Sequence, residues 1–66
     1  MIKYRIVYRL KYATSENQKE YLSVVECKNA FLDMKKQKML MYAVILRVEI
    51  NSKGSEKTLV IGNYYL

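Results

Sequence analysis

Residues 2–12 alternate without interruption. Ile2, Tyr4, Ile6, Tyr8, Leu10 and Tyr12 recur at every second position, with Lys3, Arg5, Val7, Arg9 and Lys11 between them. Successive side chains of a strand point to opposite faces of its sheet. This period therefore gathers six apolar or aromatic residues on one face and four cations on the other, whereas a helix would scatter both sets. The segment predicts a half-buried β-strand, and the rest of the chain must cover its apolar face.

Little is available to do so. The chain has 66 residues, enough for one domain over 1–66 and a small core. With Cys27 as the only cysteine and no histidine, neither an intrachain disulfide nor a nitrogen- and sulfur-ligated zinc site can reinforce it. Reinforcement must come from tight packing or from another copy, and a hydrophobic share of 52% favours self-association.

Beyond the first strand, residues 13–19 are polar and turn-like. Residues 20–27 hold Tyr21, Leu22, Val24 and Val25 and read as a second strand. The alternative is one long helix over 16–38, opened by a Ser15–Gln18 capping box, with Val24, Cys27, Phe31 and Met34 along one stripe. If 20–27 is a strand, Asn29 caps a short helix over 30–41. Phe31, Met34, Lys38 and Met39 recur there at helical spacing, with Asp33 ahead of the lysines. Residues 42–50 form a strand, 51–55 a turn in which Gly54 supplies a positive φ, and 58–65 the closing strand. The expected fold is α+β, a small antiparallel sheet with one helix in the order β-β-α-β-β, or β-α-β-β on the alternative.

Every residue from Met39 to Leu46 is apolar, so the start of the third strand is hydrophobic on both faces. One helix covers only one face of a sheet, and a second copy of the chain is the natural cover for the other. Tyr64, Tyr65 and Leu66 are too apolar for a free tail and are expected to dock within the fold or on a neighbour. A homodimer or higher homo-oligomer follows.

Catalytic signatures are missing. There is no histidine, the six carboxylates stand singly, and Gly54 and Gly62 are the only glycines, too few for a phosphate loop. Cys27 has no histidine to activate it and reads as a small buried hydrophobe. The chain reads as a non-enzyme without cofactor or metal. A lone thiol, no secretory signal and no apolar run approaching a membrane span point to a cytoplasmic protein. Nine lysines against three arginines, with many tyrosines, are the usage of AT-rich codons. The expected source is a low-GC bacterium or its phage, acting in the host cytoplasm.

The net charge of +6 is uneven: residues 2–13 carry +4 and residues 14–27 carry −2. Lys3, Arg5, Arg9 and Lys11 would stand in a row about 6–7 Å apart, joined by Arg47 if the first and third strands are neighbours. Such a row either binds an anion or merely solvates the exposed face. Tyr4, Tyr8 and Tyr12 fall on the opposite face, which weakens a nucleic-acid reading. Lys35, Lys36 and Lys38 read as complement to the helix dipole.

The functional expectation is a small stoichiometric binding protein, an inhibitor or sequestering agent of the anti-defence type. It would take an anionic ligand such as a nucleotide, or a host protein. Lys3, Arg5, Arg9, Lys11 and Arg47 would be the anion contacts, and Tyr4, Tyr8, Tyr42, Tyr64 and Tyr65 the aromatic and interface residues. A sheet-face binder of DNA or RNA, or a structural assembly subunit, is the alternative.

Overall fold

The computed structural model describes residues 1–65. Strand β1 (Ile2–Leu10) is followed by β2 (Asn17–Tyr21), helix α1 (Val24–Lys35), β3 (Leu40–Ile50) and β4 (Glu56–Tyr65). The four strands form one antiparallel sheet in the order β2-β1-β3-β4, and α1 lies on one face of it. The expected α+β class and the order β-β-α-β-β hold. No helix among the described residues is long and apolar enough to cross a membrane.

The alternation of β1 works as its period requires. Ile6 is fully buried under the helix, and Tyr4, Tyr8 and Leu10 pack around it. Cys27 and Met34 meet Ile6 from above, and Leu40, Ala43 and Ile45 of β3 complete the core. The intervening β1 residues face the other side, which no second layer covers among the described residues. The molecule is accordingly thin, 14 Å along its shortest axis.

Every element departs from its expected bounds. β1 stops at Leu10, and Tyr12 lies in a turn, 83% exposed. β2 spans Asn17–Tyr21 instead of 20–27; four of its five residues are polar, and pairing with β1 overrides their weak strand preference. The helix starts at Val24 with Ser23 as N-cap and ends at Lys35, so it is neither the 30–41 helix nor the 16–38 one. Its buried stripe of Cys27, Phe31 and Met34 is nevertheless the one traced by the long-helix alternative. It ends early because residues 40 and 41 gain more by extending β3, which starts at Leu40 and not at the expected 42. Leu40 pairs with Leu10 and becomes almost fully buried. β4 begins at Glu56, two residues ahead of the expected start.

Two irregularities matter for the surface. Met41 is an extra residue in β3 opposite Arg9 and Leu10, and Ile61 is an extra residue in β4 between the partners of Leu46 and Ile45. Each shifts the in–out alternation of its strand by one. Gly62 follows the second bulge and lies against the Ile45 side chain, which a Cβ there would meet at 3.4 Å. The turn after β3 is tied by Asn51, whose Oδ1 accepts from the backbone N–H groups of Lys53 and Ser55.

Candidate functional site on the open sheet face

The face away from α1 carries Lys3, Arg5, Val7 and Arg9 from β1 and Tyr42, Val44, Leu46 and Val48 from β3. From β4 come Glu56, Thr58, Val60, Asn63 and Tyr65, and from β2 come Gln18 and Glu20; cross-strand register fixes this membership. At one end of the face, Lys3 and Arg5 are ion-paired on both sides. Glu20 of β2 pairs with both cations, and Glu56 of β4 receives a forked contact from the Arg5 guanidinium at 3.2 and 3.3 Å. Hydrogen bonding from Lys3 is the main reason the Glu20 carboxyl is held below its ordinary pKa, with the charge of Arg5 adding to it. Val48, opposite Lys3 on one side and Thr58 on the other, is fully buried although it lies on the uncovered face.

Arg9 differs. Its Nε donates to the Ala13 carbonyl at 3.0 Å, and no carboxylate pairs with it among the described residues. It lies opposite Tyr42, which lies opposite Tyr65, so one cation and two phenol rings stand side by side across β1, β3 and β4. The two ring centroids are 6.1 Å apart, with planes inclined by 30°. Tyr65 is two-thirds exposed and Tyr42 half-buried. Glu16, from the β1–β2 loop, accepts a hydrogen bond from the Tyr42 hydroxyl. That bond is the main cause of a raised Tyr42 pKa, against which Arg9 acts weakly.

The expected basic row is therefore divided. Lys3 and Arg5 are neutralised, Arg9 is not paired with a carboxylate among the described residues, and Lys11 sits in the turn after β1. Arg47 does not join them. β1 and β3 are neighbours, but Arg47 aligns with Tyr4 and so lies on the helix side, where it binds Glu49 at 2.6 Å. Tyr4 packs against the core, and Tyr8 lines a shallow groove beneath α1 with Lys19, Tyr21 and Asp33. Tyr64 also packs on the helix side, under the Lys35 ammonium 5.6 Å from its ring centre. Tyr65 occupies an exposed strand position, and Leu66 lies outside the described residues.

The alignment of Arg9 with Tyr42 and Tyr65 escaped sequence reading because it depends on strand order and on the extra residue at Ile61, and no local pattern encodes either. No family model, curated protein or solved structure matches the chain.

Proposed function

We infer that the chain is a non-catalytic binding protein whose ligand is an anionic compound with a flat ring, of the nucleotide class, taken up on the open face. The observation that carries this is the row Arg9–Tyr42–Tyr65. Adjacent phenol rings offer a surface on which a base stacks, a contact worth about 1–3 kcal/mol per base. The unpaired guanidinium beside them suits a phosphate oxygen. Glu16, fixed by Tyr42, has acceptor capacity left for the N–H groups of a base. The neutralised Lys3–Arg5 cluster supports the platform without contributing free charge. A protein of this kind acts stoichiometrically, by sequestering its ligand or blocking its use.

The test is titration with nucleoside monophosphates and with short single-stranded oligonucleotides, followed by tyrosine fluorescence and calorimetry. Saturable binding is expected, weakened about tenfold by Tyr65→Ala and also by Arg9→Ala, but unchanged by Lys11→Ala. Oligonucleotide binding with a steep salt dependence would identify nucleic acid as the ligand. Absence of binding to both probes would refute the reading.

A further inference from the structure

The two edges of the sheet are built differently. β2 is five residues long and its outer edge is polar, with Lys19 at its centre, the usual means of discouraging further pairing. β4 is twice that length and contains no proline. Its middle is Leu59, Val60 and Ile61, which are 59%, 53% and 39% exposed. The core beneath is small: seven hydrophobic residues are buried among those described, against eleven large hydrophobics exposed. A domain of this size with so little buried is commonly completed by a second subunit.

We propose that β4 pairs with β4 of a second copy, antiparallel about a two-fold axis between Val60 and Ile61, joining two sheets into one of eight strands. The bulge at Ile61 selects this register. Glu56, Thr58 and Val60 face the open side before it, and Asn63 and Tyr65 do so after it. In an unbroken strand, a two-fold between adjacent residues would set opposite faces against each other. Here the extra residue restores the match, so that open-face residues meet open-face residues in both halves of the strand. The chemistry matches as well. Lys57 falls opposite Tyr64, a cation beside a ring. Thr58 falls opposite Asn63, and Leu59 opposite Gly62, a large side chain against none. Val60 and Ile61 meet at the axis, and no like charges are opposed. Pairing of β4 with β2 of another copy would instead set this apolar centre against a short polar edge, head to tail, with no two-fold axis to close the pair. The two-fold arrangement closes and leaves only the two blunt β2 edges outside. This pairing does not depend on what the tyrosine platform binds.

The direct test is a cross-link. Thr58 and Asn63 lie five residues apart in one strand, about 17 Å, too far for a disulfide within a chain. In the proposed dimer they are opposite each other. Thr58→Cys with Asn63→Cys should therefore oxidise to a covalent dimer, while Gln18→Cys on the β2 edge should form no covalent link between chains; Cys27 is buried and takes no part. Sedimentation of the unmodified protein should give the mass of two chains. Ile61→Lys should give one chain with an unchanged circular dichroism spectrum. A wild-type mass of one chain up to millimolar concentration would overturn the proposal. So would a dimer that survives Ile61→Lys, or one that Val44→Lys on the open face dissolves while Ile61→Lys leaves it intact.

Discussion

Arg5 and Arg9 stand four residues apart on the same face of the same strand, yet among the described residues only Arg5 is ion-paired. The cause is which residue each meets across the sheet: Glu20 and, two strands away, Glu56 for Arg5, and Tyr42 for Arg9. Neither fate follows from the spacing of the cations, which is all the sequence displays. Cys27 is the opposite case, because its role as a small buried hydrophobe follows from its isolation in a histidine-free chain. Burial raises its thiol pKa, so the folded protein keeps it protonated where the unfolded chain would ionise. This contribution to stability is complete below the ordinary thiol pKa and declines as pH rises past it. A thiol reagent at mildly alkaline pH should label Cys27 far more slowly in native protein than in denaturant. Equal rates would show that the thiol is exposed.

At the level of elements, the strands with strong periodicity were legible and the weakly patterned ones were not. β1 and β3 are rich in β-branched and aromatic residues and lie at the centre of the sheet, where propensity and burial agree. β2 lacks such a pattern, being an edge strand that exists because β1 offers it a ladder. The misplaced helix start has the same origin. Val24 and Val25 favour a strand locally, but the helix buries Cys27 and Met34 against Ile6, and that long-range contact prevails. The turn between β3 and β4 was readable because its chemistry is local. Gly54 adopts φ +84°, a conformation that costs side-chain-bearing residues roughly 1–2 kcal/mol. No atom lies within 4 Å of a Cβ placed there. Gly54→Ala should accordingly lower stability in chemical denaturation by about 1 kcal/mol through the backbone alone, with Gly54→Asn closer to wild type. A neutral alanine variant would contradict the left-handed turn.

Across the whole molecule, the Lys3–Arg5–Glu20–Glu56 cluster ties the β2 edge to the β4 edge over the open face. Because the Glu20 pKa is lowered in the fold, its stabilisation is present above the ordinary carboxylate range and lost as pH falls through the lower, folded value. The thermal midpoint of Glu20→Gln should therefore lie below wild type at neutral pH, and the difference should vanish in acid. A difference that persists in acid would mean that the carboxylate charge is not its source. The sequence by itself determined the period of β1, the glycine turn, and an apolar content too large for one helix to cover. These rest on interactions between residues a few positions apart. Only the tertiary structure decided that Arg47 lies on the helix side, that Arg9, Tyr42 and Tyr65 form one row, and that one sheet edge is polar and the other apolar. Those facts depend on strand order, register and two single-residue bulges, set by contacts between residues far apart in the chain, where a shift of one position moves every later side chain to the other face.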